Sequence, residues 1–200
     1  MQWSTVARWA AVSLSLGSTL AIPTAGRADN LVPYEAGEWR YRQVPVDDPL
    51  GTVFFAPDFD DSAFLTGQAA FGTMPTCPLS PTVHTTWDPA SEMLCRRWFV
   101  ADPDAPVTVY LAVDNDARVY VNGVLVLDAV HEQCPALDDW SALVPPGVVT
   151  SGPNLLAVRA IDRGGECFAD LRLVGEPPAS AAIPGGAVEP STWGQVKLAR

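Results

Sequence analysis

The chain has 200 residues, 18% of them charged, and 12 Lys+Arg stand against 23 Asp+Glu for a formal net charge of −11. That balance argues against nucleic acid and anionic lipid as partners, because both need positive counter-charge. It is compatible with calcium, neutral sugars or a basic protein, and equally with a surface that is acidic only to stay soluble.

Residues 1–28 have the parts of a secretory signal peptide. Arg8 is the only early charge, Trp9 to Gly26 is uncharged, and Ala10 to Ile22 is mostly apolar and small. Gly26-Arg27-Ala28 then offers small residues at the −3 and −1 positions of a cleavage site. The apolar run is too short and too rich in Ser and Thr for a membrane span, which needs about 20 apolar residues. No cysteine lies near the site to carry a lipid anchor; an uncut anchor helix is the alternative. Cleavage after Ala28 would give a secreted or periplasmic bacterial protein of 172 residues, one domain's worth of chain. The lost segment holds Arg8 and Arg27 and no acid, so 10 Lys+Arg would face 23 acids, a net −13.

The remainder reads as short strands between turns. Trp39–Arg42, Val53–Phe55 and Met93–Val100 are the early candidates. In the middle, Val107-Thr-Val-Tyr-Leu-Ala-Val113 alternates, with Val107, Val109, Leu111 and Val113 on one face. Ala117–Val121 and Val124–Leu127 follow, joined by Asn122-Gly123. That dipeptide between β-branched runs is a strong hairpin signal, because both residues tolerate positive φ. Asn154–Ile161 and Cys167–Val174 complete the set. No internal repeat and no long amphipathic helix interrupts them, and 19 Pro and 15 Gly are scattered as turns require. The expectation is an all-β sandwich over residues 29–175. From Glu176 the composition turns to Pro, Gly and Ala, that of a linker. The chain closes on Ser191-Thr-Trp-Gly-Gln-Val-Lys-Leu-Ala-Arg200, where Trp193, Val196 and Leu198 with basic residues suggest a docking segment, a sorting tag or a frayed tail.

Cys77, Cys95, Cys134 and Cys167 all follow the signal segment, and an even count in an exported chain implies two disulfides. Three pairings are open. The sequential one, Cys77–Cys95 and Cys134–Cys167, is preferred because Cys77 and Cys95 flank one long polar loop and the other two lie outside strand-like runs. Each bridge would add about 3 kcal/mol by restricting the unfolded chain. A zinc site is disfavoured, since there is no Cys-x-x-Cys pair and His84 and His131 have no ligand spacing.

Several motifs occur in an order that resembles galactose-binding-like jelly-roll domains, the accessory β-sandwiches beside catalytic domains of β-galactosidase-type glycoside hydrolases. They are Asp58-Phe-Asp-Asp-Ser62, Gly67-Gln-Ala-Ala-Phe-Gly72, Thr86-Trp87, Leu94-Cys-Arg-Arg-Trp-Phe99, Asp114–Gly123, Gly152–Ala160 and Phe168-Ala-Asp-Leu-Arg-Leu173. The resemblance spans about residues 34–175 and implies a jelly roll of eight or nine antiparallel strands. It departs from the family at Phe64, where Trp is frequent, and in its cysteines. Locally, Asp58 to Ser62 is a turn, Phe59 and Phe64 should point inward, and Gly72 and Gly123 should supply unusual backbone angles.

Fold does not fix function. The chain has no Gly-x-Ser-x-Gly and no Gly-rich loop entering a helix, so hydrolase and nucleotide-binding readings are weak. Acids suited to a paired-carboxylate glycosidase sit in turns, at Asp47-Asp48, Asp60-Asp61, Asp114/Asp116 and Asp138-Asp139. The expectation is therefore a non-catalytic binding module without a cofactor. By analogy with the fold its ligand is a carbohydrate, with Trp87, His84 and Asp88 and with Trp140 and Asp139 as aromatic and polar contacts. The alternative is a structural or protein-interaction module of a cell-surface or periplasmic assembly. Related domains often hold a structural calcium, for which Asp60, Asp61 and Asp170 are the candidates.

Overall fold

The computed structural model describes residues 28–73, 82–130, 132 and 134–177. Among them are twelve strands: β1 Asp29–Val32, β2 Trp39–Pro45, β3 Leu65–Gly67, β4 Phe71–Gly72, β5 Thr85–Thr86, β6 Ser91–Val100, β7 Val107–Asp114, β8 Asp116–Val121, β9 Val124–Val130, β10 Trp140–Leu143, β11 Pro153–Ile161 and β12 Phe168–Gly175. They form two sheets. The first runs β10-β7-β12-β4-β5, with β1 also pairing β12; the second runs β3-β2-β6-β11-β8-β9. All ladders are antiparallel except the parallel pair β4–β5. The all-β jelly-roll class expected from the sequence is the one observed. Strands beyond the expected eight or nine are short, β4 and β5 having two residues each, too short for alternation to show.

The main core lies between the sheets. β7 contributes Val107, Val109, Leu111 and Val113, as its alternation predicts, and β11 answers with Leu156, Val158 and Ala160. At the β8–β9 hairpin Asn122 and Gly123 take φ 49° and 83°, the two positive values the turn needs. Gly72 departs from expectation. Its φ is not left-handed; instead a side chain there would come within 2.3 Å of the Cys167 carbonyl, so glycine allows β4 to approach β12.

A second core sits outside the second sheet, which explains why β6 and β11 are apolar on both faces. The segment after β2 folds over this sheet through a one-turn 3-10 helix, Pro49–Thr52, started by the Asp48 side chain accepting the Leu50 N–H. Val53–Phe55 is therefore not a strand. Phe54 is buried there with Phe64, Leu94, Tyr120, Leu155 and Ala157, and Phe59 packs alongside. Phe59 and Phe64 do turn inward, but onto this outer layer rather than between the sheets. Full burial of one such aromatic contributes about 2–3 kcal/mol.

Arg96 anchors that layer. Its guanidinium is buried, meets Asp61 at 2.8 Å and donates to the carbonyls of Phe54, Ala56 and Phe59. It also lies 5.3 Å from the Phe59 ring centre. Beside it Glu92, wholly buried, takes two hydrogen bonds from Arg159. Glu92, Arg96 and Arg159 thus lie on the outer face of this sheet, where partners satisfy them.

The expected disulfides are not formed as paired. Cys95 and Cys167 are free and buried, because each is carried into the core by a strand or the residue preceding one. Burial raises both thiols, Cys167 to about 11. Cys134 is disulfide-bonded, to neither Cys95 nor Cys167. Cys77 lies outside the described residues, as do the expected signal segment through Arg27 and the tail from residue 178.

Candidate functional site

Strand β12 alternates. Ala169, Leu171 and Leu173 enter the main core, so Asp170 and Arg172 turn to the outer face of the first sheet. On β7, Tyr110 lies opposite Arg172 and Ala112 opposite Asp170. Two loop segments complete the surface, Tyr34-Glu35 after β1 and Asp138 before β10.

The Arg172 guanidinium lies between two rings, 4.2 Å from the Tyr110 centre and 5.9 Å from that of Tyr34. Asp138 grips it at 2.9 and 2.8 Å through both carboxylate oxygens. The Tyr34 hydroxyl donates to Asp138 at 2.7 Å and accepts the Asp138 backbone N–H at 3.1 Å. Asp138 reaches this position in a left-handed conformation, φ 62°. Its hydrogen bond from Arg172 holds its carboxyl below the usual range. Partial burial, then the bond to Asp138, push the Tyr34 hydroxyl up.

Next to this clamp lies a carboxylate that forms no ion pair among the described residues. Asp170 is 3% exposed and accepts the backbone N–H groups of Glu35 at 2.9 Å and Leu171 at 2.8 Å. Burial pushes it up to about 7, against the opposing pull of those two donors, and the Glu35 carboxylate adds to the rise. Glu35 in turn accepts the Thr82 N–H at 2.8 Å and faces His84 Nε2 at 3.3 Å. Gln68 donates to the Glu35 carbonyl. His84, Glu35, Asp170, Tyr34, Asp138, Arg172 and Tyr110 thus form one polar, aromatic band across the outer face. Tyr34 and Tyr110 are half-buried with Arg172 over their rings, and the half-exposed Asp138, Glu35 and His84 supply acceptors and a donor. Asp170 itself is closed to any substrate by its burial.

Of the residues singled out in the sequence, His84 and Asp170 belong to this band. Asp139 and Trp140 adjoin Asp138 without joining it: Asp139 accepts the Ala136 N–H, and half-buried Trp140 stands opposite Leu111, packed on the main core. Trp87 is 0% exposed and cannot offer its ring to a sugar; its indole N–H donates to Ser91 Oγ at 3.0 Å. A Trp87–Trp140 platform is therefore not formed. Asp88 is exposed but exchanges hydrogen bonds with Gln43 of the second sheet. The calcium candidates do not meet. Asp60 closes its own turn on Ser62, Asp61 is held by Arg96 over the second sheet, and Asp170 lies on the first. Among the described residues no three His, Cys, Asp or Glu come together as a metal group. His131 lies outside the described residues.

Sequence reasoning missed Tyr34, Glu35, Tyr110 and Arg172, and it named Asp138 only among the acids in turns. One signal was present: Asp170 and Arg172 are charged residues two apart in an otherwise apolar strand, and so share a face that strand periodicity assigns to neither core nor turn.

Taken together, the two packed sheets define a β-sandwich with a galactose-binding-like jelly-roll fold, with a polar band on one outer face. The chain matches no known protein-family model and no curated protein. Among solved structures it is similar to a calcium binding mutant of Bacteroides uniformis beta-glucuronidase 2, with TM-score 0.52 and 15% identity over 76% of this chain and 18% of that one. It is also similar to a Bacteroides vulgatus beta-glycosidase, with TM-score 0.50 and 14% identity over 76% of this chain and 20% of that one. The chain thus spans about a fifth of those enzymes, and at such identities the likeness is one of fold. Among the described residues no helix is long and apolar enough to cross a membrane.

Proposed function

We propose that the protein is an exported, non-catalytic carbohydrate-binding module that takes its ligand on the outer face of the first sheet. The observation carrying this reading is the Arg172 clamp between Tyr34 and Tyr110, edged by the carboxylates of Asp138 and Glu35. Rings stack on the apolar faces of sugars, while carboxylates and imidazoles accept or donate to their hydroxyls. The enzymes to part of which it is similar act on glycosides, and the likeness covers only about a fifth of their length, which supports an accessory rather than a catalytic part.

The test is retention on a broad panel of polysaccharides and glycans, comparing the unaltered protein with Tyr110→Ala and with Trp98→Ala on the other sheet. Retention lost only in Tyr110→Ala is the expected result. Silence across the panel, or equal retention by all three, overturns the reading.

A structural or protein-interaction role draws on a different surface. Trp98 and Val100, 48% and 66% exposed, share the outer face of the second sheet just beyond its aromatic cover. Capture of a partner that Trp98→Ala abolishes, with no glycan bound, would favour it.

A further inference from the structure

At one end of the sandwich the β6–β7 loop and the β10–β11 loop enclose a groove of about 500 Å³. Its walls are nearly all apolar and preset by proline: Pro103 and Pro106 on one side, Leu143, Pro145 and Pro146 on the other, with buried Val149 in the lining. The side walls are rigid because Pro fixes φ and because the Val144 N–H donates to the Val107 carbonyl at 2.8 Å beneath them. Leu143, 59% exposed, stands at the rim without a covering neighbour. The one charged side chain in the lining is Asp104, whose N–H is held by Asp102 at 2.9 Å, so the rim is negative.

The chain leaves the sandwich at this groove. The Glu176 N–H donates to the Pro106 carbonyl at 2.8 Å, so the backbone beyond β12 departs from the groove's own wall. Residues 178–200 lie outside the described residues. Their sequence runs through Pro-, Gly- and Ala-rich chain to Ser191-Thr-Trp-Gly-Gln-Val-Lys-Leu-Ala-Arg200, which joins three large apolar side chains to two cations. The 14 residues between Glu176 and Ser191 reach about 20 Å as a flexible linker, enough to return along the groove.

We propose that this groove is the docking site for the chain's own C-terminal segment, Ser191–Arg200, with Trp193 and the aliphatic Val196 and Leu198 against the prolines and Leu143, and Lys197 and Arg200 toward Asp104 and Asp102. Composition, charge and point of departure converge on this occupant. The acidic rim favours a basic segment over the otherwise acidic surface of a second copy. A tethered segment binds at the millimolar effective concentration that a short linker gives, so a modest apolar contact suffices.

The test uses the full chain. Trypsin cleavage after Lys197 is followed by mass spectrometry in the unaltered protein, in Leu143→Lys and in Trp193→Ser. Cleavage of a docked site tracks its undocked fraction, so a segment docked nine-tenths of the time is cut about tenfold more slowly. Both variants should remove that protection. Leu143 is at the surface and Trp193 lies outside the sandwich, so an unchanged melting temperature separates undocking from unfolding. In parallel, a photo-crosslinking amino acid at position 143 should join residues 191–200 of the same chain. Equal cleavage rates in all three proteins overturn the proposal. So does a crosslink that joins only two different chains, or one that avoids residues 191–200.

Discussion

The Glu35 backbone N–H donates at 2.9 Å to the buried carboxylate of Asp170. This single bond ties the loop carrying Tyr34 to the strand carrying Arg172, and with it the two halves of the band. It does so without a cation, so the protonation of Asp170 and the stability of the sandwich are linked.

That linkage has a definite sign. Folded Asp170 holds its proton to about pH 7, against an ordinary value of 3.8. The folded protein therefore binds the extra proton between these values, and stability falls as pH rises from 4 to 7, by up to about 4 kcal/mol, then levels. Asp170→Asn keeps an acceptor for Glu35 but does not titrate. Urea unfolding from pH 4 to pH 8 should show the unaltered protein losing midpoint concentration over this window. The variant should lack that component. Parallel curves for the two proteins would refute the assignment.

The Arg96 guanidinium is buried with a carboxylate and three carbonyls around it. Arg96→Ala should cost about 3–5 kcal/mol, because it leaves Asp61 and those carbonyls unpaired under the aromatic cover. Arg96→Lys keeps the charge but loses the fork, and should fall between the two. Equilibrium denaturation reads both. A loss below about 1 kcal/mol would show that the covering segment holds without its anchor.

Trp87 and Tyr110 should separate stability from binding. Trp87→Ala removes a fully buried ring and should cost about 3–5 kcal/mol. Tyr110→Ala opens no interior cavity and should stay within about 1 kcal/mol of the parent while losing glycan retention. Melting curves and the retention assay, run on the same two variants, decide this.

The cysteines give a chemical check. Cys95 and Cys167 are buried free thiols raised above their ordinary values. Neither should react with a thiol reagent under native conditions. Both should label in denaturant without reductant, and Cys134 only after reduction. Native labelling of Cys95 would mean that β6 does not seat it in the core.

Much of the architecture could be read along the chain, for reasons that differ by element. β7 and the β8–β9 hairpin follow from local periodicity and from Asn122-Gly123, whose conformational freedom is a property of those residues themselves. Val53–Phe55 looked like a strand by composition. It became a turn because Asp48 starts a 3-10 helix just before it and because the outer face of β6 and β11 needed an aromatic cover. Trp87 looked like a ligand platform between polar neighbours. Its Nε1–H finds Ser91 four residues later, and the ring fills the main core.

Acidity, the alternating strands and the expectation of export rest on composition and nearest-neighbour chemistry, which need no knowledge of where the chain returns. The polar band does not. Tyr34, Asp138 and Arg172 are separated by 104 and 34 positions, and no local preference specifies that they meet. Nor could spacing show that Cys95 and Cys167 would be carried apart from their expected partners. Those outcomes depend on which strands become neighbours and on which face of each is buried. Packing the whole sandwich decides both, because only there are the burial of apolar faces and the pairing of buried charge settled together.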